Sequence, residues 1–588
     1  MNKAEVTLLI LLLLSMVFVE ALEPVNAQSP GVIRIKADGS VTGTNKILRN
    51  ESVYTVVGDL FASVAQGDAF IFVERSDIVL DGADFSVQGS GFGSAIHLLR
   101  SQNVTVKNFV IRGFSRGIDF GVVDNWPADL NVLSQQLAVN NQIYSNVIEV
   151  SSVAGSNQTR DAGWCVYLNT ANQTRIYDNS FISHSIGGGV YLSNSTYATS
   201  LIDNSFVGGG IYCLKSEQNI VRGNTIDGKQ LVYFDGESNR VVDGAGLVYL
   251  FNCSNITVKN INPEYVYAVT IQLVDTVKCE VIDSVGHVLL ADSNYNSIHD
   301  NVLRSVVCDA SSYNQVFNNR ISDFSVCIKL YGESRFNRVY NNLLLDTIYS
   351  VEAAAVRKDG FHTVAIQLGD SQLGGAFNNE IKSNMMVNHD CVVELFLSDN
   401  NTIIANVFKD GNTGIQFGKS HNNTVMENNV TSCKYAVSIY AGSSDNTFYH
   451  NNFMDNQIQV IETYTATLLS ESGVYATGNT LDNGVTGNYW DTYRGVDENG
   501  DDIGDTPYRV FEDMTDYYPL MKPFETANVA GILIPPTHNP TERPEQNGPE
   551  QPPLSKEDKI IIVVTVGIVV GVVGGLLIYF RRLIFRKS

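Results

Sequence analysis

The run Asp497-Glu498-Asn499-Gly500-Asp501-Asp502-Ile503-Gly504-Asp505 sets oxygen side chains at alternating positions of a loop. Hard cations take such ligands, so Asp497, Asn499, Asp501 and Asp505, with a backbone carbonyl near Ile503, form a candidate Ca²⁺ site. It is not an EF-hand, because Asp502 stands where that loop needs Gly and no Glu follows at the twelfth position. An acidic surface turn is the alternative reading. A second group, Arg357, Lys358, Asp359 and His362, is the densest mixed-charge cluster in the middle of the chain and a candidate binding loop. A solvated loop is its simpler explanation. Soft metals find little: Cu(I) wants clustered Met, Cys or His, and Met385, Met386 and His389 are the only close group, while His421 and His450 stand alone. The eight cysteines show no CxxC spacing, which argues against zinc and thioredoxin-type sites.

Composition narrows the partners. The chain has 588 residues and a formal net charge of −23. Nucleic-acid binding depends on Lys and Arg neutralising phosphate, so this balance argues against it as a partner. It equally disfavours a groove for a polyanionic polysaccharide, unless a cation mediates.

The elements that would position these residues are announced by paired asparagines. Asn-x4-Asn recurs at Asn103/Asn108, Asn141/Asn146, Asn219/Asn224, Asn255/Asn260, Asn296/Asn301 and onward to Asn446/Asn451, with successive pairs often 17 to 24 residues apart. A period in that range marks a solenoid. Two positions after the first Asn stands a β-branched or aromatic residue, such as Ile143, Val339 or Ile381. Two after the second stands an apolar one, such as Ile148, Leu344 or Met386. These inward positions are five apart, an odd number, so an unbroken strand would send them to opposite faces. A bend is therefore expected between them, with the second Asn in the left-handed conformation it tolerates. Stacked coils of short strands joined by such turns make a parallel β-helix. Cys253/Cys279 and Cys308/Cys327 lie about one coil apart, so they either bridge or serve as small buried hydrophobes. The repeat is interrupted at 113–140, 227–254 and 345–377.

The ends read as membrane elements. Residues 1–27 form a signal peptide, with Lys3 before the apolar run Val6–Val19 and Val25-Asn26-Ala27 at the cleavage site. Residues 28–75 are expected to cap the first coil, 76–480 to form the β-helix, and 481–530 to form a C-terminal cap with the acidic loop. Residues 531–559 carry half of the chain's 14 prolines and should be an extended stalk. Ile560–Phe580 is an uncharged stretch of 21 residues, long enough to span a bilayer as a helix. Arg581, Arg582, Arg586 and Lys587 in 581–588 place the tail in the cytoplasm and the rest outside the cell. Gly567, Gly571 and Gly575 repeat a GxxxG spacing that allows self-association. Sequons at Asn50, Asn103, Asn157, Asn172, Asn194, Asn252, Asn255, Asn400, Asn422 and Asn429 suit a glycosylated outer surface, although Asn-rich turns generate sequons by chance.

The Asn ladder, the opening Ile33-Arg34-Ile35-Lys36-Ala37-Asp38-Gly39-Ser40-Val41, the run Ile78-Val79-Leu80-Asp81-Gly82-Ala83 and the cap motifs Gly487-Asn488-Tyr489-Trp490 and Gly504-Asp505-Thr506-Pro507-Tyr508 resemble archaeal cell-surface proteins. Those are right-handed parallel β-helices whose domain is shared with NosD, the periplasmic protein of nitrous oxide reductase maturation, and with carbohydrate-binding proteins and sugar hydrolases. The resemblance covers roughly residues 31–520 and implies an all-β, right-handed solenoid with terminal caps. Its NosD branch implies copper. Its hydrolase branch implies Asn-Thr-Asp, Asp-Asp, His-Gly and Arg-Ile-Lys motifs on consecutive coils. Here Asp501-Asp502 falls in the cap, Arg34-Ile35-Lys36 precedes the coils, and no His-Gly occurs. A lyase would need a basic residue near a Ca²⁺-bound acidic sugar, and nothing singles out Arg160 and Asp161 for that task. The expectation is a membrane-anchored extracellular β-helix acting without catalysis, binding glycan or a cell-surface protein or forming part of the envelope. The alternatives are a carbohydrate-active enzyme and a NosD-like metal-delivery factor.

Overall fold

The computed structural model describes residues 32–525, apart from 99, 121–137, 152–162, 170, 185–187, 194–195, 214–215, 217, 264–268, 323, 347–361, 441, 464–475 and 512–513. The signal peptide, stalk, spanning segment and basic tail read from the sequence lie outside the described residues. Among those described, every regular element is a strand, and no helix is long and apolar enough to cross a membrane.

Each turn of the chain lays down up to three short strands, and each strand pairs in parallel with its counterpart one turn on. On one face Val79–Asp81, Thr105–Lys107, Gln142–Tyr144, Arg175–Tyr177, Ser200–Ile202 and Ile220–Arg222 follow one another. Residues stack like on like: Leu80, Val106, Ile143, Ile176 and Leu201 occupy equivalent places and are fully buried. These are the three-residue strands expected when β-branched and aliphatic residues must point inward and their neighbours outward. The result is a parallel β-helix, as the repeat predicts.

The buried amides run between coils as a continuous ladder. Asn401 is typical. Its backbone N–H and its Nδ2 both donate to Oδ1 of Asn423, at 2.8 and 3.1 Å. Its Nδ2 also donates to the carbonyls of Ala376 and Asp399, and its own Oδ1 accepts from N–H and Nδ2 of Asn379. Every polar atom of a fully buried amide is thereby satisfied, which is the condition for burying it. Two ladders of this kind run in register, one through Asn314, Asn337 and Asn379, the other through Asn319, Asn342 and Asn384.

The structure corrects the local geometry of the repeat. The ladder Asn is not the left-handed residue; the residue before it is. Asn318 (φ 53°), Asn341 (φ 54°), Ser383 (φ 52°) and Ala405 (φ 56°) make the turn, and the following Asn sends its amide inward. The pairs Asn103/Asn108 and Asn255/Asn260 are therefore displaced by one. They take the left-handed corner themselves and leave the buried rungs to Val104/Phe109 and Ile256/Ile261. Where the ladder reaches Ile256 and Ile261, Cys279 Sγ and Ser284 Oγ accept their N–H groups in place of an amide. The displacement also moves the inward residues, so Val106 and Val258 are buried rather than Thr105 and Thr257. All eight cysteines are free and buried, which realises the small-hydrophobe reading rather than bridging.

The coils expected as one run over 76–480 are divided. Thr225–Ile226 folds back on Lys229–Asp235 as an antiparallel hairpin, and separate hydrophobic cores lie largely before and after it. The first stack begins at Ile33–Ile35, inside the segment 28–75 read as a cap. Its closing hairpins pair Val41–Thr42 with Ile33–Ile35 and Ile47–Asn50 with Val53–Val56. Its other end rests on the second stack. There Gln272 donates from Nε2 to the Ile211 carbonyl at 2.6 Å and accepts the Cys213 N–H at 3.5 Å. Its side-chain amide stands in for the backbone of a missing coil. Leu247, Tyr249 and Val274 pack into the first core beside it. On the neighbouring face Ile220–Arg222 ends one sheet and Val241–Asp243 begins the next.

At the C-terminal end Asn488 is the last rung, accepting from Asn451, and Trp490 stacks on Phe453 at 4.3 Å. The buried carboxylate of Asp516 ties the cap on. It accepts N–H groups from Asn488 (2.7 Å) and Tyr518 (3.0 Å) and the indole N–H of Trp490 (2.8 Å). Gly487 is required beneath it, since a Cβ there would collide with this carboxylate. Burial pushes Asp516 up to about 6, against the pull of those three donors, and nearby Asp482 adds to the rise.

Two outcomes follow for stability. Asn406→Ala orphans buried donors of Asn384 and should cost about 2–4 kcal/mol in unfolding free energy. Ser383→Gly, at a left-handed corner, should be neutral or stabilising by about 1 kcal/mol. Equal melting of the two variants would refute this register. For Asp516 the folded pKa lies above the ordinary 3.8, so the folded state holds the proton more tightly. Its contribution is fully present below pH 4 and is lost as pH rises through about 6, on the order of 3 kcal/mol in all. Denaturant titrations at pH 4 and 7 should show that slope flattened in Asp516→Asn. Parallel pH profiles would contradict it.

Candidate functional site

The outward positions of a β-helix form rows, one residue per coil, and the cavity described in this structure lies where three rows meet. It measures about 190 Å³ and is lined by Arg175, Tyr177, Asp178, Ser200, Ile202, Asp203 and Arg222. One row reads Arg175–Ser200–Ile220, the next Tyr177–Ile202–Arg222, and the corner row Asp178–Asp203–Gly223. Asp178 and Asp203 share the left-handed φ of 53°, because each precedes a ladder Asn. Gly223 continues the corner, and a Cβ on it would strike the Asp203 carboxylate. The cavity exists because the middle coil offers only Ser200 and Ile202 between longer side chains on either side.

One wall is aromatic. Tyr177 stacks on Tyr144 at 4.7 Å, 14° from parallel, and its hydroxyl reaches Gln142 Oε1 at 3.4 Å. Burial, followed by the neighbouring Tyr144, raises the Tyr177 phenol above its ordinary value, so it stays a neutral donor and acceptor. Arg175, Arg222, Asp178 and Asp203 are exposed and form no ion pair with one another. The site thus offers two guanidiniums, two carboxylates, a hydroxyl and a ring, and little of it is committed to the protein itself. Sequence reasoning did not single out these residues. The signal that finds them is their phase: they stand four, two and one positions before the ladder residues Asn179, Asn204 and Asn224.

The residues that the sequence did single out are dispersed. In the acidic loop, Asp497 accepts N–H groups from Gly500, Asp501 and Asp502. Asp501 accepts Ile503 N–H, Asn499 accepts Asp501 N–H, and Asp505 accepts Glu498 N–H. These carboxylates are already organised by backbone donors, and among the described residues no three His, Cys, Asp or Glu side chains converge as a metal group. Arg357, Lys358 and Asp359 lie outside the described residues; His362 is exposed at their border. Of the sequon asparagines, Asn157 and Asn194 lie outside the described residues. Asn50, Asn103, Asn252, Asn255, Asn400 and Asn422 are exposed, Asn429 is half-buried, and Asn172 is buried, accepting the Tyr197 N–H. Asn103, Asn255, Asn400 and Asn422 all occupy the left-handed corner.

Aromatic rows occur elsewhere. Tyr167, Tyr191 and Tyr212 stack along the first coil stack, but Tyr167 and Tyr191 are buried. Tyr295, Tyr313 and Phe336 stack along the second and are 45–56% exposed, each ring face covered by its neighbour.

Residues 207–364 and 355–495 match the family described as "Periplasmic copper-binding protein (NosD)". No curated protein matches the chain. Solved structures that resemble it include a tailspike protein mutant of E. coli bacteriophage HK620 in complex with pentasaccharide, at 12% identity over 70% of this chain and 72% of that one, TM-score 0.28. The A-module of Azotobacter vinelandii mannuronan C-5 epimerase matches at 11% identity over 58% and 91%, TM-score 0.26. An alginate lyase in complex with G6 matches at 9% over 70% and 81%, TM-score 0.21. The family description implies copper, and the described residues do not fit it. Met386 and His389 are fully buried, with Met386 stacked between Leu344 and Phe408. His421 and His450 are engaged by Ser444 and Thr486. The match over 207–495 spans the hairpin and nearly all of the second stack, and among the described residues there no group of three His, Cys, Asp or Glu converges.

Proposed function

We propose that this chain is a glycan-binding surface protein that works without catalysis: a right-handed β-helix held outside the cell by Ile560–Phe580. The observation that carries the reading is the mixed lining of the 190 Å³ cavity. A sugar presents hydroxyls that both donate and accept, together with apolar ring edges. Uncommitted Arg, Asp and Ser groups beside a Tyr ring are the complement of that surface. The cavity is smaller than a typical pocket of about 300 Å³ or more, which suits one or two sugar units rather than a buried polymer.

An enzyme is the second reading, and the same cavity weighs against it. A glycosidase needs carboxyls on opposite sides of the scissile bond. Asp178 and Asp203 share one corner on successive coils, on the same side of the cavity. Glycosylation at the exposed corner asparagines, association through Gly567, Gly571 and Gly575, and a cell-surface protein partner belong to the same outward-facing picture.

Cells displaying the full chain should bind fluorescent oligosaccharides from a glycan panel, lose that binding after external protease, and lose at least tenfold of it with Tyr177→Ala plus Asp203→Ala. Binding that survives protease would overturn the location. No retained glycan would overturn the function, and released reducing ends would favour the enzyme. We further propose Ca²⁺ in the loop of Asp497, Asn499, Asp501 and Asp505, where an acidic turn would otherwise repel itself. At 100 times its dissociation constant the ion would stabilise the fold by about 2.7 kcal/mol. A chelator should lower the melting temperature of the protein, and Asp501→Ala should remove that sensitivity. A melting curve indifferent to chelator and Ca²⁺ leaves only an acidic turn.

A further inference from the structure

From the register around the cavity we infer that its ligand is an anionic sugar residue, with the negative group held between Arg175 and Arg222. This rests on the glycan-binding reading and specifies the substrate class. At outward strand positions of several other coils, a basic residue is paired with a carboxylate one coil away. Arg338 meets Glu380 at 3.0 Å, Lys107 meets Asp81 at 3.0 Å, and Lys259 meets Asp243 at 3.3 Å. Arg175 and Arg222, like Lys382, have no such partner among the described residues. The strand partners of Arg175 are Gln142 and Ser200, and Arg222 pairs with Ile202 on the last strand of its sheet.

Their placement suits one ligand. Arg222 lies two coils above Arg175 and two residues further along the strand. At about 4.8 Å per coil and 3.3 Å per residue their Cα atoms are roughly 12 Å apart on a diagonal. The shorter Ser200 and Ile202 lie between them. Two long side chains therefore lean over one shallow floor from opposite ends. Guanidinium is always charged, only weakly hydrated, and presents a planar fork of N–H donors matched to carboxylate, sulfate and phosphate oxygens. The cavity volume of about 190 Å³ exceeds what a bare tetrahedral anion fills. Asp178 and Asp203 on the rim would repel a free multivalent anion, yet they accept hydroxyl protons well. Tyr177 supplies an apolar edge for the ring. The net charge of −23 opposes a polymer charged at every residue, so the match is a single acidic residue within an otherwise neutral glycan.

The test uses the full chain in detergent, titrated calorimetrically with a glucuronosyl-glucose disaccharide, with its neutral counterpart glucosyl-glucose, and with inorganic sulfate. The acidic disaccharide should bind at least tenfold tighter than the neutral one, and the ratio should shrink as salt rises from 50 to 500 mM. In Arg175→Gln plus Arg222→Gln the ratio should fall to about one while the melting temperature stays put, both side chains being exposed. Equal affinities in the wild type overturn the inference and leave glycan binding standing. Persistence of the preference in the double variant overturns it too. Sulfate binding as tightly as the acidic disaccharide would make this a free-anion site. Failure of every sugar would remove the glycan reading itself.

Discussion

A buried primary amide is tolerable only when all of its hydrogen-bonding capacity is used, and the whole molecule is arranged to meet that condition. A ladder Asn that follows another, such as Asn401, takes both N–H and Nδ2–H donors from the coil on one side. It donates to the Asn of the next coil, to a backbone carbonyl of the coil before it and, in some rungs, to one of its own coil. The bonds close only if the coils are in strict register, since a slip by one residue would turn the amide to solvent and bury its neighbour. The ladder thereby fixes which residues face in, where the chain must turn left-handed, and which positions remain outside. In the second stack the two ladders start from Cys279 and Ser284, and the one through Asn451 closes on Asn488 and Asp516.

The division of the solenoid follows the same logic. A stack that stops leaves strand edges and an open core. At most ends the chain covers them with an antiparallel hairpin. Between the stacks it uses a side chain, with Gln272 presenting an amide to Ile211 and Cys213 much as a following strand would. Leu247, Tyr249 and Val274 close the core beneath it. On the neighbouring face, among the described residues, no further strand pairs onto the last one, Ile220–Arg222. That strand carries Arg222, a short and charged edge of the kind that resists unwanted pairing and that also forms one wall of the candidate site.

That site is a product of stacking rather than of any local motif. Arg175, Ser200 and Arg222 are far apart in sequence and contribute one position each from three coils. The inward half of each strand is committed to the core and cannot vary freely. The outward half is free, and function in such a fold is written there. The likeness to NosD proteins covers 207–495. Copper would need soft ligands gathered on the outward half, and Met386 and His389 are in the interior.

The parallel β-helix was legible in the sequence because its cause is periodic: Asn at a fixed spacing with apolar residues two positions on. The phase of that repeat was legible wherever the Asn is the buried rung, as at Asn337/Asn342. It misled by one residue at Asn103/Asn108 and Asn255/Asn260, because Asn satisfies both the left-handed corner and the buried rung and spacing alone cannot tell these apart. Strand pairing decides, since only one assignment lets each amide meet the next. The sequence by itself also determined the acidic balance, the loop of Asp497–Asp505 and the absence of any CxxC. Tertiary structure alone decided the break at the hairpin after Ile226, the burial of all eight cysteines as free thiols, and the meeting of Arg175, Tyr177, Asp203 and Arg222 around one cavity. The physical reason is that an outward side chain is constrained by nothing in its own coil; its neighbours are set by the ladder that stacks one coil on the next.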